Sequence, residues 1–169
     1  MDIEIEKLKA TDFEDLFEFE LENRAYFEEL VWGRGDDYYH FETFINKNKA
    51  LLDEQSQDLS HFYLMKNKDG FIVGRINLID IDKTLGLGHI GYRVGKSYTG
   101  KGIAKKALQL LLKTVSKQGI TQILAKTLTN NIASQKILEK SGFKHVSTSD
   151  EEFELNGQRL KFVYYKWTI

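Results

Sequence analysis

Apolar and polar residues near the start of the chain change from a strand-like to a helical spacing. IEIEKLK alternates apolar and charged positions, which is typical of a half-buried strand. Thr11–Glu14 then fits a capping box, and apolar residues follow at helical spacing over Phe13–Leu21. Gly33–Gly35 interrupts this helix, and a second amphipathic helix is predicted from Asp36 to about Leu52.

The middle of the chain returns to short alternating segments before a strongly periodic helix. HFYLMKN and FIVGRINLIDID are predicted to form an antiparallel hairpin across Lys68–Gly70, and LGHIGYRV is predicted as a third strand after Gly86. A helix is predicted over Gly102–Lys117, followed by the strand ITQILAKTL and a short helix over Asn131–Lys140.

The last part of the chain contains two more strand-like segments. FKHVSTSDEEFEL and RLKFVYYKWT are predicted as strands joined at Asn156-Gly157, a dipeptide typical of tight hairpins. The order of elements, βααβββαβαββ, predicts an α+β or mixed α/β fold. We expect a central, mostly antiparallel twisted sheet of about seven strands, flanked by about four helices.

Length, charge and composition narrow the class of protein. With 169 residues and 41% hydrophobic content, residues 1–169 are expected to form a single domain. The net charge of -1 with dispersed basic residues does not indicate direct DNA binding. The N-terminus lacks a signal-peptide pattern and no segment is apolar enough for a membrane span, so we expect no membrane association and a cytoplasmic location.

The chain contains no cysteine, and this excludes several kinds of chemistry. Disulfides, cysteine-ligated zinc and a covalent intermediate on a thiol cannot form. We expect no metal ion.

A glycine-rich segment, VGKSYTGKGIAKKAL, joins the third central strand to the long helix. Free N–H groups at a helix start favour an anion there. GKSYTGKG matches a P-loop except at Gly102, where Ser or Thr must ligate magnesium. A Rossmann pattern counted from Gly100 fails at Lys105, whose bulk opposes close helix–strand packing. The segment Thr99–Ala104 suits a pyrophosphate held by amides, or alternatively forms a tight connection and nothing more.

TGKGIA resembles the acyl-CoA loop of the GNAT superfamily of N-acetyltransferases, Gln/Arg-x-x-Gly-x-Gly/Ala, with Thr99 in place of the usual Gln or Arg. NIAS, followed by LEKSGF, resembles the helix and Gly-Phe turn that come one strand later in those enzymes. Through NRAYFEELVW, HIGYRVGKSYTGKGIAKKAL, NNIASQKILEKSGF and ELNG, nearly the whole chain resembles the RimJ/RimL branch, which includes ribosomal-protein N-acetyltransferases. This resemblance implies a GNAT-like fold.

The resemblance also implies acetyl-CoA as cosubstrate. Its pyrophosphate is expected on the amides of Gly100–Ala104, and its pantetheine arm is expected to pair like an extra strand with Tyr92–Val94. Asn131 is a good helix N-cap and also matches a residue that contacts the pantetheine region in the family. The expected cofactor-binding residues are Tyr92, Arg93, Val94, Thr99, Gly100, Lys101, Gly102, Ile103, Ala104 and Asn131.

Acetyl transfer needs a proton for the leaving thiolate and a neutral amine. Leu138 stands where many GNAT enzymes carry a tyrosine, so the resemblance to the RimL-like branch points to Ser134, one turn earlier on the same face. Alternatively, Ser134 only satisfies the backbone at the helix start. Glu152, Glu154 and His89 are candidate bases, and water is a further one because an α-amine has a pKa of about 7.7 to 8.0. Without cysteine, we expect direct transfer in a ternary complex.

The acceptor is expected to bind near an aromatic and acidic segment after the first helix. This segment holds Tyr26, Phe27, Glu28, Glu29, Trp32, Asp36, Asp37, Tyr38, Tyr39 and His40. Its acids favour a cationic amine, such as a peptide N-terminus, a polyamine or an antibiotic, or else form a solvated face. A CoA-binding sensor without catalysis is the alternative, given Thr99 and Leu138. The sequence leaves the oligomeric state open, a homodimer included.

Overall fold

A mixed sheet of seven strands forms the centre of the molecule in a computed structural model that describes residues 1–169. The chain has nine strands, of which β7 and β8 lie outside this sheet. They are β1 Ile3–Lys7, β2 His61–Asn67, β3 Ile72–Asp82, β4 Leu87–Val94, β5 Gln122–Leu128, β6 Lys144–Thr148, β7 Phe153–Leu155, β8 Gln158–Leu160 and β9 Phe162–Thr168. The α-helices are α1 Phe13–Leu30, α2 Phe41–Ser56, α3 Ile103–Ser116 and α4 Ile132–Lys140. Short 3-10 turns lie at Ala10–Asp12, Asp36–Tyr39 and Lys96–Tyr98.

The strand order is β1-β2-β3-β4-β5-β9-β6, and β7 and β8 form a separate two-stranded ribbon. Every neighbouring pair is antiparallel except β4 and β5, which are parallel and are joined by the crossover helix α3. The predicted mixed fold with a mostly antiparallel seven-stranded sheet and four helices is therefore confirmed.

The two faces of the sheet carry separate hydrophobic cores. On one face, α3 and α4 pack Ile103, Leu108 and Leu138 against residues such as Ile76 and Ile123. On the other face, α1 and α2 pack their aromatic residues against side chains of β2, with Phe62 and Leu64 at the contact. Because β2 buries alternate residues in the two cores, it is apolar on both faces.

The two predicted C-terminal strands are each broken in the structure. The predicted turn at Asn156-Gly157 is present, with both residues at positive φ, but it joins the short strands β7 and β8. These two strands leave the sheet because their apolar residues, Leu155 and Leu160, pack in a small core of their own against Leu128. The main sheet pairing then resumes in β9.

The start of the first helix also differs from the prediction. A 3-10 turn over Ala10–Asp12 precedes α1, and the side chain that holds this turn belongs to Asp12. The Asp12 carboxylate accepts hydrogen bonds from Lys9 N at 3.0 Å and Lys66 Nζ at 2.9 Å. The predicted capping box of Thr11 is therefore wrong, because the charge of Lys66 on β2 holds Asp12 at this corner.

None of the helices is both long enough and apolar enough to cross a membrane.

Candidate active site

The strands β4 and β5 separate in the middle of the sheet. Their parallel pairing runs from Leu87 opposite Gln122 to Ile90 opposite Ala125. Beyond this point β4 continues beside β3 alone, and β5 continues beside β9 alone. The segment Gly91–Val94 therefore has one backbone edge without a strand partner. Unpaired strand edges bind extended chains that carry amides, so this opening can bind a linear amide-containing ligand.

The glycine-rich loop lies directly after this edge and ends where α3 begins. Gly100 and Gly102 have φ of +75° and +74°, a left-handed conformation that glycine adopts without strain. The N–H groups of residues 100–105 donate to no backbone or side-chain acceptor of the protein. A Cβ atom at either glycine would meet nothing within 4 Å, so the space beside both glycines is open. The arrangement fits a diphosphate at the positive end of α3.

Two further side chains hold this loop in place. The buried amide of Asn23 on α1 accepts a hydrogen bond from Lys96 N at 2.8 Å and donates one to Phe19 O at 2.9 Å. The hydroxyl of Thr99 donates to Lys96 O at 2.9 Å. Thr99 therefore closes the turn within the loop. Asn23 was not identified from the sequence, because its partner is 73 positions away.

A tyrosine and a serine meet beside the opening. The Tyr92 hydroxyl on β4 lies 3.1 Å from Ser134 Oγ on α4, and either oxygen can be the donor. Asn131 caps α4, since its Oδ1 accepts a hydrogen bond from Ser134 N at 3.1 Å. The backbone of α4 is thus capped by Asn131, which leaves the Ser134 hydroxyl free for other chemistry. Leu138 is buried in the core and offers no proton.

The Tyr92 side chain is protonated at neutral pH. Burial raises the pKa of Tyr92, and the hydrogen bond with Ser134 offsets only part of that effect. A neutral phenol can donate its proton to Ser134 Oγ while the serine hydroxyl points elsewhere. The sequence prediction used only the backbone of Tyr92, since the pairing of its hydroxyl with a residue 42 positions away leaves no local signal.

The other predicted catalytic residues lie apart from this pair. His89 is half-buried and lies within the paired part of β4, opposite Leu124, before the strands separate. Glu152 is exposed and lies 3.6 Å from Arg159 Nη1. Glu154 lies on the β7–β8 ribbon, opposite Arg159 in the strand register. The structure therefore brings Tyr92 and Ser134 together, but it does not bring either glutamate or His89 to them.

The β7–β8 ribbon contacts the end of α1 and forms an open cavity with it. Asn156 Nδ2 donates to the carbonyl oxygens of Glu28 and Glu29, each at 3.1 Å. The Trp32 ring centroid lies 4.8 Å from that of Phe153. The cavity has a volume of about 500 Å³ and is lined by Glu28, Val31, Trp32, Gly33, Gly35, Glu154, Leu155 and Asn156.

The predicted aromatic segment is divided between this cavity and the core. Trp32 lines the cavity and is half exposed, whereas Phe27 and Tyr38 are buried among the residues of α1 and α2. Among the acids of the segment, Glu28 and Asp36 share Arg24 as their ion-pair partner. The acidic character expected from the sequence is therefore partly neutralised.

A buried ionic cluster lies between α1 and the sheet. Glu20 has a fully buried side chain, and its carboxylate oxygens lie 2.7 Å from Arg75 Nη1, 3.2 Å from Arg34 Nη1 and 3.7 Å from Arg93 Nη1. Arg34 also donates to the Tyr38 hydroxyl at 2.6 Å. Burial by itself would raise the pKa of Glu20, but the attraction of the three guanidinium groups outweighs it and holds this pKa below its ordinary value. Glu20 is therefore too weakly basic to deprotonate an amine.

The open parallel pair, the loop of free amides and the hydroxyl pair together suit a long ligand that carries amides and a diphosphate, as an acyl-CoA does. Residues 2–144 match the family model described as the acetyltransferase (GNAT) domain. The chain therefore belongs to the GNAT acetyltransferase family and is an acetyl-CoA-dependent N-acetyltransferase. The resemblance found in the sequence is confirmed.

Similar proteins agree with this assignment. The chain is 29% identical over 161 residues to the probable N-acetyltransferase YjcK of Bacillus subtilis, covering 92% of this chain and 87% of that protein. The ribosomal-protein-S5-alanine acetyltransferase of Vibrio fischeri has the same fold, with a TM-score of 0.90 at 19% identity over 99% of this chain and 93% of the other. RimL, a ribosomal L7/L12 alpha-N-protein acetyltransferase in complex with coenzyme A, gives a TM-score of 0.89 at 19% identity over 99% and 94%.

Proposed function

We propose that residues 1–169 act as one domain that transfers acetyl directly from acetyl-CoA to a primary amine in a ternary complex, with a protein N-terminal α-amine as the acceptor. The observation that carries this proposal is the Tyr92–Ser134 contact of 3.1 Å beside the separated strands. It puts two hydroxyl groups next to the backbone edge that can bind the cosubstrate.

The cosubstrate is held mainly by backbone groups in this proposal. Its pyrophosphate accepts hydrogen bonds from the free amides of Gly100–Ala104, and its pantetheine amides pair with the edge Gly91–Val94. The resemblance to GNAT enzymes assigns the thioester oxygen to a backbone N–H of the same edge. Such a donor stabilises the oxygen as it gains negative charge in the transition state.

Ser134 supplies the proton for the leaving thiolate. Attack of the neutral amine forms the C–N bond, and cleavage of the C–S bond leaves a thiolate that accepts the Ser134 proton. Ser134 then regains a proton from solvent, which takes up the one lost by the amine, so that the enzyme returns to its starting state. The Tyr92 hydroxyl donates to Ser134 Oγ and stabilises the negative charge that develops there. The proton lost by the amine goes to water or to Glu154, which is the one base candidate that lines the cavity beside α1.

The acceptor class rests on two supports. Two of the similar structures are named as acetyltransferases of ribosomal proteins, and one of those names specifies an α-N-protein activity. An α-amine has a pKa of about 7.7 to 8.0, so a fair fraction is neutral near pH 7 without a strong base. This agrees with a site in which no carboxylate or imidazole adjoins the Tyr92–Ser134 pair.

The test is a thiol-release assay with acetyl-CoA and a panel of Ser- and Ala-starting peptides, polyamines and aminoglycosides. We expect turnover on peptides, with kcat reduced about 100-fold by Ser134→Ala and about tenfold by Tyr92→Phe, at little change in the KM for acetyl-CoA. Ser147→Ala, at an exposed serine of β6, is the matched control. Binding of acetyl-CoA without turnover on any amine would instead indicate a sensor module.

A further inference from the structure

The ionic cluster around Glu20 contains more positive than negative charge. Three guanidinium groups, those of Arg34, Arg75 and Arg93, share one carboxylate. The Arg75 Nε donor has no hydrogen-bond partner, and Glu20 Oε2 faces Arg93 Nη1 at 3.7 Å, beyond hydrogen-bond distance. Because one carboxylate faces three guanidinium groups, the cluster has a net positive charge that a further anion would offset.

Two of the three arginines remain accessible. The Arg75 side chain is 5% exposed, whereas those of Arg34 and Arg93 are 29% and 24% exposed. Repulsion is visible at Arg93, where burial, and then the nearby charge of Arg34, lower the pKa to about 10. An anion placed between Arg34 and Arg93 would relieve this repulsion while remaining in contact with solvent.

The cluster lies on the face of the sheet that packs against α1. Side chains of β4 alternate, so Tyr92 points to the face of α3, and Arg93 points to the face of α1, where it contacts Phe27 and Glu20. Gly91 lies on the Arg93 face, two positions and about 7 Å earlier. Arg34 lies between Gly33 and Gly35, which line the cavity beside α1. An amine that reaches the Gly91–Val94 edge on the face of α1 meets Arg93, and Arg34 adjoins Arg93 through their shared partner Glu20.

The acids near the cavity do not supply this further anion. Glu28 and Asp36 both pair with Arg24, and Glu154 lies opposite Arg159 on the ribbon. Glu28 and Asp36 therefore have a cationic partner of their own, and the ion-pair partner of Arg159 is Glu152. The support that Glu28 and Asp36 give to a cationic acceptor is therefore reduced, because Arg24 offsets their charge.

We propose that the acceptor of this enzyme carries a carboxylate or phosphate close to its amine, and that Arg34 and Arg93 bind this anionic group during acetyl transfer. This inference rests on the proposed function, because it places the anion on the acceptor of that same site. Glu20 and Arg75 are positioning residues, since they hold the two accessible guanidinium groups.

The experiment compares matched acceptors that differ in one charge. Ser-Glu peptides are paired with Ser-Gln peptides, and free amino acids are paired with their amides, so that a side-chain carboxylate and an α-carboxylate are tested separately. We expect the anionic member of the reacting series to have a kcat/KM about tenfold higher or more, because charge-assisted hydrogen bonds to arginine are strong. Arg93→Gln and Arg34→Gln should each reduce this ratio towards one, while Lys83→Gln, a surface charge distant from the site, should preserve it.

A second measurement does not depend on turnover. With saturating CoA present to fill the pyrophosphate loop, succinate is compared with sodium chloride at equal ionic strength. We expect succinate to raise the Tm of the wild type by about 2 to 4 °C, and both arginine variants to lose that rise. Two arginine variants are used so that poor folding of one does not decide the outcome.

The outcomes separate this inference from the proposed function. Equal use of charged and neutral acceptors without a succinate effect overturns the anion site and leaves the acetyltransferase proposal standing. A charge preference that persists in both arginine variants also overturns the assignment to Arg34 and Arg93. A succinate effect that both variants abolish, without turnover on any amine, supports the anion site and contradicts the proposed reaction.

Discussion

Among single residues, Glu20 has the largest number of charged neighbours. Its carboxylate is the one counter-charge for the buried Arg75, and it also faces Arg34 and Arg93. Removing one partner from a buried ionic cluster leaves uncompensated charge, and this costs more than the cluster contributes when intact. The free energy of unfolding should therefore fall when Glu20 is replaced by an uncharged residue of the same size.

Glu20→Gln is expected to lower the free energy of unfolding by about 3 to 5 kcal/mol. The lowered pKa of Glu20 also determines how the stability of the protein depends on pH. The carboxylate contribution is fully present above the unfolded-state pKa of about 4.3 and is lost as the pH falls through the lower folded-state pKa. Urea unfolding of both proteins from pH 7 to pH 3 should show a difference that is constant above about pH 5 and shrinks below pH 4.

The control for this prediction is Glu18→Gln, an exposed glutamate on the same helix. It should leave the stability nearly unchanged throughout that pH range. A Glu20→Gln protein as stable as the wild type at pH 7 would mean that the three arginines tolerate each other without the carboxylate.

At the scale of elements, α3 has a glycine in the left-handed conformation at each end. Gly102 precedes the helix with φ of +74°, and Gly119 follows it with φ of +81°. A Cβ atom would meet no protein atom within 4 Å at either position. Both positions therefore require the left-handed backbone conformation, but only Gly102 lies at the free amides assigned to the pyrophosphate.

Gly102→Ala and Gly119→Ala are expected to lower the free energy of unfolding by similar amounts, about 1 to 2 kcal/mol each. Only Gly102→Ala should weaken CoA binding, by about tenfold or more, because its methyl group occupies the space in front of the amides. Thermal unfolding and calorimetric titration with CoA measure the two effects. Equal CoA affinity in both variants would contradict the assignment of the pyrophosphate to this loop.

At the scale of the whole molecule, the site joins elements from both cores. Asn23 on α1 fixes the loop before α3, and Tyr92 on β4 contacts Ser134 on α4. In the proposed reaction, both substrates meet in this one opening, which is framed from the two faces of the sheet. Such a site can hold the acetyl donor and the amine together, and the chain offers no cysteine to carry the acetyl group.

Initial-rate measurements with acetyl-CoA and a reacting peptide should give intersecting double-reciprocal lines, as direct transfer requires. Labelled CoA should not exchange into acetyl-CoA in the absence of the acceptor, because no acetyl-enzyme forms. Parallel lines together with rapid exchange would show a covalent intermediate and would contradict the ternary complex.

Sequence reasoning identified the features that depend on neighbouring residues. The cap that Asn131 provides for Ser134 N spans three positions, and the turn glycines of the loop were identified from TGKGIA. The Tyr92–Ser134 contact and the Glu20–Arg75 pair join residues 42 and 55 positions apart, and only the folded sheet brings them together. The ribbon was missed for a related reason, because Leu155 and Leu160 alternate like sheet residues while packing on Leu128 outside the main cores.

The separation of β4 and β5 has a consequence for the protein before it meets its cosubstrate. A sheet normally has unpaired edges only at its two sides, but this one has a further edge in its interior at Gly91–Val94. Exposed strand edges recruit other extended chains and promote aggregation. Bound acetyl-CoA would cover that edge as an additional strand does, so the solubility of the protein in storage should depend on whether the cosubstrate is present.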